Sequence, residues 1–146
     1  MKHKAECIGR VPDILLPYID CWTVQEPQAH DLDIVRGMQA QMDAGTAWLL
    51  EMNDTYVFLR RHTPWVGQIH VWNLGSPFGM VRAIRAVTDA GLERFHRLEA
   101  RVPDRRHGSV LARCGWVHEG TFKACHAHRD GTFSDEFGYG VTRWDR

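Results

Sequence analysis

The chain has 146 residues, with 18 lysines and arginines against 18 aspartates and glutamates, and therefore no net charge at pH 7. Balanced charge provides no net field for nucleic acid or for an anionic membrane. No apolar run approaches the roughly 18 residues of a membrane helix, and the start of the chain lacks the apolar region of a signal peptide.

The length is that of one domain with a sizeable core. We predict a single domain over residues 1–146, with an N-terminal helical segment (1–30), a core (31–142) and a tail (143–146). The four cysteines, Cys7, Cys21, Cys114 and Cys125, show no close C-x-x-C pairing. They are expected to be reduced thiols in a cytosolic compartment.

Two helices are predicted first. Residues 11–23 carry apolar side chains at helical spacing, with Pro17 as the expected kink. Residues 31–44 repeat the spacing of three and four, and Gly45 follows where a helix C-cap is expected.

Three strands follow the helices. The first covers residues 47–52, and Asn53-Asp54 turns the chain into the second, residues 56–60, which alternates apolar and polar side chains. The third strand covers residues 65–72.

The rest of the chain alternates between helices and strands. A helix over residues 77–95 precedes a strand at 98–102 and a short helix at 105–114, and two strands close the chain around Asp130-Gly131. The order α-α-β-β-β-α-β-α-β-β predicts an α/β (α+β) fold, in which helices flank both faces of a mixed sheet.

The closing segment carries a resemblance to a known superfamily. A helix end at Arg113-Cys114-Gly115 leads into Trp116-Val117-His118-Glu119-Gly120-Thr121-Phe122, and Arg129 to Asp135 then turns the chain into a second strand. This order resembles the C-terminal half of the GNAT acetyltransferase superfamily, where a "GF-x-x-EG" strand follows the last helix. The match extends over residues 31–142 and implies the GNAT fold, with a mostly antiparallel sheet.

The loop after the fourth GNAT strand is expected to bind the pyrophosphate of acetyl-CoA through Q/R-x-x-G-x-G/A. The corresponding segment is Ser76-Pro77-Phe78-Gly79-Met80-Val81, in which only Gly79 matches. Ser76 and Pro77 instead form a good helix N-cap and first-position pair. We therefore expect no bound cofactor. The alternative is a degenerate acetyl-CoA site formed by Ser76, Gly79, Met80 and Val81.

The resemblance also directs attention to the catalytic groups. Leu111 stands where many GNAT enzymes have an acid tyrosine, and Asp104 stands where they have a CoA-contacting asparagine. In an active enzyme, His70 or Glu119 would be the candidate general base, acting through water.

Two other site types are weighed against the pattern. Cys125-His126-Ala127-His128 suggests zinc, with Cys114 and His118 nearby, but strand alternation separates Cys125 from the histidines, so no metal site is predicted. The arginines from Arg82 to Arg106 are interleaved with acidic residues, which favours ion pairs over a nucleic-acid surface.

Tryptophans are the candidate contact residues. Trp65 and Trp72 flank the third strand, and core packing is the default for either of them. Trp144 lies beside the chain end and is typical of a docking anchor. Trp144, Trp65 and Trp72 are therefore our candidate interaction residues.

Within the superfamily, the chain looks most like the small GNAT-like proteins of tailed bacteriophages. The likeness rests on the stretch from Val11 to Pro17, on Gly45-Thr46-Ala47-Trp48, on the shortened loop and on Cys114-Gly115-Trp116. The leading prediction is a degenerate GNAT-fold protein that has lost acetyl transfer and serves as a structural or assembly component of a phage virion.

This prediction fixes the expected partners and location. The partners would be other protein chains, in a homo-oligomeric ring or a phage particle, and the location would be the bacterial cytoplasm or the virion. The alternative is an active N-acetyltransferase with a divergent CoA-binding loop. A nucleic-acid-binding accessory protein is a third class, against which the balanced charge argues.

Overall fold

The computed structural model describes residues 4–19, 31–128 and 130–145. The strands are β1 (Glu6–Ile8), β2 (Ala47–Met52), β3 (Thr55–Arg61), β4 (Val66–Asn73), β5 (Arg97–Val102), β6 (Val117–Ala127) and β7 (Phe133–Thr142). The helices are α1 (Leu16–Ile19), α2 (Asp31–Asp43), α3 (Pro77–Arg94) and α4 (Arg105–Arg113), with short 3₁₀ turns at Asp13–Leu15 and Arg143–Asp145.

The predicted α/β (α+β) architecture is confirmed, with two local differences. Strand β1 was not predicted, because three residues are too few to show a period, and it forms by pairing with β2. The predicted helix at 11–23 is a 3₁₀ turn followed by the single turn α1, and Pro17 lies in that turn, where an N–H is not needed. Residues 20–23 of that prediction lie outside the described residues.

The strands of the described chain form one sheet in the order β1-β2-β3-β4-β5-β7-β6. All neighbours are antiparallel except β4 and β5, which run parallel. The pairing of β4 with β3 extends over seven residues of β4, and that of β5 with β7 over all six residues of β5. Strands β4 and β5, in contrast, pair only between Val66–Gln68 and Arg97–Glu99. The sheet is therefore two halves that are joined at one end and open at the other.

Gly67 explains where the halves join. A Cβ at this position would lie 2.8 Å from the Phe95 ring and 3.0 Å from Leu59 and Leu98 side-chain atoms. The absence of a side chain lets these apolar groups close over the joined end. Beyond it, each strand follows its own antiparallel partner.

The core has two parts, one on each face of the sheet. The first packs α3 and α4 on the sheet and includes Ile69, Ile84, Leu98, Leu111 and Val141. The second packs the N-terminal elements and α2 on β2, β3 and β4. None of its described members comes from β5, β6 or β7, so the corresponding face of that half-sheet has no apolar cover from these helices.

Charged and aromatic side chains lie over this second face of the half-sheet. The Arg97 guanidinium and the Glu119 carboxylate lie over Gly140, and the Phe122 ring lies over Gly138. The two glycines leave room for these groups to lie flat against the strand, and the sheet presents a polar surface here.

The ends of the helices follow the predicted signals. Gly45 has a φ of +74°, and the Thr46 N–H donates to the Gln41 carbonyl, which is the hydrogen bond of a Schellman C-cap. Ser76 caps α3 by accepting the Gly79 N–H at 3.0 Å, as its position before Pro77 predicts. At the other end of α3, the Arg143 guanidinium donates to the carbonyl of Glu93 at 3.0 Å.

Gly108 in α4 provides a test of the packing. A Cβ there would lie 2.1 Å from the Tyr139 hydroxyl. We expect Gly108→Ala to lower the free energy of unfolding by about 1–3 kcal/mol, because overpacking outweighs the gain in helix propensity. Gly37→Ala in α2 is the matched control, since nothing lies within 4 Å of its Cβ position, and it should stabilise by up to about 1 kcal/mol. Urea unfolding measures both variants. An equal gain in the free energy of unfolding for the two would contradict the close contact between Gly108 and Tyr139.

Candidate functional site

A cavity of about 500 Å³ occupies the open end between β4 and β5. It lies at the carboxyl ends of the two strands, and the helices that follow them, α3 and α4, begin beside it. The residues that line it are Tyr18, Ile69, His70, Val71, Trp72, Asn73, Leu74, Met80, Ile84, Ala100, Arg101, Val102, Pro103, His107, Val110, Leu111, His126 and Glu136. Phe78, which could have filled the opening, is 81% exposed and is not among them.

The wall on the α3 and α4 side is apolar. The lining residues Ile69, Ile84, Ala100 and Leu111 belong to the core cluster on that face, and Met80 packs against it. Such a wall favours the binding of an uncharged ligand segment and keeps water away from it.

The opposite wall carries polar and aromatic groups. His70 and Trp72 come from β4, Arg101 from β5, and His126 and Glu136 from β6 and β7. The cavity therefore has one apolar wall and one wall with charge and hydrogen-bonding groups.

The floor of the cavity includes a backbone edge. Residues 69–73 of β4 pair with β3 but not with β5, because the parallel register ends at Gln68 and Glu99. Backbone N–H and C=O groups on the β5 side of β4 consequently face the opening. An extended ligand with amide groups would bind there as a strand adds to a sheet edge.

The loop from β4 to α3 holds most of its own donors. The Leu74 N–H donates to the Asp54 carbonyl at 2.9 Å, and the Gly75 N–H donates to Asn73 Oδ1 at 3.0 Å. With the Ser76 cap on Gly79, the loop is a capped helix end, as predicted. Two of the three acceptors are side-chain oxygens, however, so a rotamer change would release the Gly75 and Gly79 N–H groups.

The remaining loop residues of the predicted site are divided between the cavity and the core. Met80 reaches the cavity wall, whereas Val81 packs on the core behind it. The first turn of α3 contains no acidic residue. The helix dipole there is favourable to an anion.

His70 is in the cavity but is a weak base. Burial, reinforced by the charge of Arg60, lowers the pKa of His70 to about 3. The imidazole is therefore neutral at physiological pH and provides a hydrogen-bonding wall without charge. Its catalytic role stays a prediction.

Glu119 does not reach the cavity. Its carboxylate is held by the Arg97 guanidinium, with Arg97 Nη1 at 2.8 Å from Oε2, at the joined end of β5. Hydrogen bonds from Arg97 lower the pKa of Glu119. A carboxylate so firmly paired is a poor proton acceptor.

The two positions that depart from the superfamily pattern lie beside the cavity. Leu111 lines it and offers no acid. Asp104 caps α4 and accepts from the His107 N–H at 2.8 Å and from the His107 ring at 2.7 Å. Burial raises the pKa of Asp104, but the hydrogen bonds from His107 outweigh that effect and lower it. The carboxylate is thus partnered beside the opening.

The Cys-His segment lies on β6. His126 Nδ1 is 3.9 Å from Glu136 Oε2, and the His128 Nε2 lies 2.8 Å from the Ser134 hydroxyl. Among the residues that the structure describes, no three potential ligands converge on a metal site.

The three candidate interaction tryptophans differ in exposure. Trp65 is 64% exposed and Trp144 is 81% exposed, and both rings contact His96 at centroid distances of 5.8 Å. Trp72 is only 7% exposed, because it packs in the core beside Phe58 and lines the cavity, so it is not a surface anchor. Contact with other chains through Trp65 and Trp144 stays a prediction.

No family model matches the sequence, and no curated protein is detectably similar to it in sequence. Solved structures, in contrast, are similar over nearly the whole chain. Spermidine N-acetyltransferase from Vibrio cholerae, in complex with CoA and spermine, has a TM-score of 0.72 at 10% identity, with 99% of this chain and 98% of that chain covered.

Two further structures are acetyltransferases that act on ribosomal proteins. The ribosomal-protein-S5-alanine acetyltransferase from Vibrio fischeri has a TM-score of 0.67 at 15% identity, with 97% and 94% of the two chains covered. The ribosomal L7/L12 α-N-protein acetyltransferase in complex with CoA has a TM-score of 0.68 at 16% identity, with 97% and 95% covered. This chain has the GNAT fold.

The comparisons correct two predictions made from the sequence. We predicted a degenerate structural or assembly component, and we predicted no cofactor. Both predictions are wrong, because the similar structures named above are acetyltransferases, two of them with CoA bound. The reasoning from Ser76 to Val81 failed because a capped loop does not close the cleft beside it.

In the described part of the chain, no helix has both the length and the apolar character that a membrane-spanning helix needs.

The shifted pKa of His70 predicts a pH dependence of stability. The unfolded imidazole binds a proton below about pH 6.5, whereas the folded one remains neutral down to about 3. Protons therefore favour the unfolded chain in this window, and stability falls as the pH falls.

Between pH 7 and pH 5 this group should remove about 1–2 kcal/mol from the free energy of unfolding. Urea unfolding of wild type and His70→Gln at both pH values measures the effect. The variant should lose less stability than wild type, and equal losses would contradict the assignment.

Proposed function

We propose that the protein is an acetyl-CoA-dependent N-acetyltransferase. The observation that carries this proposal is the open end between β4 and β5, where the sheet leaves a cavity of about 500 Å³ with one apolar wall, one polar wall and a backbone edge. Acetyltransferases whose structures contain CoA share this fold, although their sequence identity to this chain is low.

The residues present fit the acyl-carrying arm of acetyl-CoA. The edge of β4 at residues 69–73 offers backbone groups to its amides, and the apolar wall with Ile69, Met80 and Ala100 surrounds its thioester end. When bound, acetyl-CoA supplies an acetyl group activated as a thioester.

The phosphate end is where this chain departs from the superfamily pattern. The start of α3 carries a favourable dipole, but its Gly79 N–H is bound to the Ser76 hydroxyl. Phosphate binding here must displace that hydroxyl. We expect a lower affinity for CoA than a loop with free N–H groups would give.

The chain's own groups prepare the amine for reaction. The apolar wall excludes water that would hydrolyse the thioester, and His70, as a neutral imidazole, places no positive charge beside an incoming ammonium. Backbone N–H groups on the edge of β4 are suited to bind the carbonyl oxygen as negative charge develops on it.

The acceptor is proposed to be a primary amine. The named substrates of the similar structures are amines of different size, a polyamine in one and ribosomal proteins in the others. They agree only in the reacting group. The finer likeness to phage proteins, and a location in the virion, rest on the sequence pattern and stay predictions.

Calorimetric titration with CoA tests the proposal directly. We expect saturable binding of about one CoA per chain and release of free thiol from acetyl-CoA when an amine such as spermidine is added. No heat of binding up to millimolar CoA would refute the proposed function.

Ser76→Ala tests the phosphate end. Loss of the cap should lower the free energy of unfolding of the free protein by about 1 kcal/mol. The variant should nevertheless gain more thermal stability from CoA than wild type does, because the Gly79 N–H is already available. Thermal unfolding with and without CoA measures this, and a smaller gain than in wild type would place the phosphates elsewhere.

A further inference from the structure

Two glutamates lie on the polar face of the β5-β7-β6 half-sheet at opposite ends. Glu119 lies at the joined end, where two hydrogen bonds from Arg97 hold it. Glu136 lies at the open end, where it is the one carboxylate among the described residues that line the cavity. The same residue type thus stands in a closed and in an open environment on one surface.

Glu136 is held loosely by the charged groups around it. Arg101 Nη1 from β5 is 4.0 Å from Oε1, and His126 Nδ1 from β6 is 3.9 Å from Oε2. Both distances are too long for hydrogen bonds. The Arg101 guanidinium lies over the Phe122 ring, with its central carbon 4.1 Å from the ring centroid, which directs part of its interaction away from the carboxylate.

The Glu136 side chain is also partly buried in the cavity wall. It is 20% exposed, so the carboxylate reaches the cavity without being fully solvated. The aromatic side chains of Tyr18 and Trp72 line the same cavity. The carboxylate is thus placed to meet a cation that enters the cavity.

We propose that Glu136 is a catalytic residue that binds the acceptor ammonium in the cavity and removes its proton. This role rests on the proposed function. It selects acceptors that carry a primary ammonium over neutral hydroxyl compounds, because the carboxylate attracts the cation before the proton transfer.

The proton and electron balance of the step is simple. One ammonium proton passes to a Glu136 carboxylate oxygen, and the nitrogen lone pair forms a bond to the thioester carbonyl carbon. The carbon–sulfur bond breaks and its electron pair leaves with sulfur. The thiolate takes a proton from water, and Glu136 and the product nitrogen return theirs to solvent.

Glu136→Gln tests the role, with Glu119→Gln as the matched control on the same face. General-base catalysis is typically worth 10²–10⁴-fold, so kcat/KM for acetylation of spermidine should fall at least about 100-fold in Glu136→Gln. It should change less than about threefold in Glu119→Gln. Glu136→Asp should recover part of the rate, and calorimetry should show CoA binding by all three variants.

The pH profile separates a catalytic role from a structural one. A general base must be unprotonated to act, so wild-type kcat/KM should show an acid limb that is absent in Glu136→Gln. Among the described residues, the other charged or titratable groups at the carboxylate are Arg101 from β5 and His126 from β6, and Tyr18 from α1, His70 from β4 and His107 from α4 also line the cavity.

The outcomes distinguish the role from the function. Wild-type protein that binds no CoA would overturn the proposed function and this role with it. Wild-type protein that acetylates spermidine, while Glu136→Gln does so within threefold, would overturn the role of Glu136 alone.

Discussion

The fold depends on how β4 and β5 are bonded. Each is paired along its length with an antiparallel neighbour, β3 or β7, whereas the two pair with each other over only three residues. Neither strand can bend to close the gap without breaking its own ladder. The opening is therefore a fixed feature of the backbone, and the ligand enters a cavity that already exists.

The two faces of the sheet give this cavity one apolar side and one charged side. On one face, α3 and α4 bury their apolar sides on the sheet and bring Ile84 and Leu111 to the cavity wall. On the other, α2 covers only the β2-β3-β4 half, so charged groups occupy the β5-β7-β6 half. A thioester and a charged amine need these opposite surroundings, and the cavity lies where they meet.

Much of the fold was predictable because its signals are local. The helices at 31–44 and 77–95 were found from apolar spacing and from caps at Gly45 and Ser76, and both caps are present. The hairpin turn at Asn53-Asp54 has both residues at positive φ, as the pattern predicts. Strand β1 was not predicted because its three residues are too few to show an alternating pattern.

The site was predictable only in part, because it depends on register and on strand separation. The loop from Ser76 to Val81 shows how its donors are capped, but nothing in it shows that β4 and β5 part beside it. Glu136 was missed for the same reason. Its position at the open end follows from the pairing of Val102 with Phe137, which no local pattern fixes. His70 was found because it is the one titratable side chain on β4.

The central claim is that acetyl-CoA binds in the split between β4 and β5. Amide hydrogen exchange with and without saturating CoA tests it most directly, because exchange reports on individual backbone groups. The account predicts that CoA slows exchange at residues 69–73 and at the start of α3, and leaves the joined end at 66–68 unchanged. Binding of CoA without protection at residues 69–73 would contradict it.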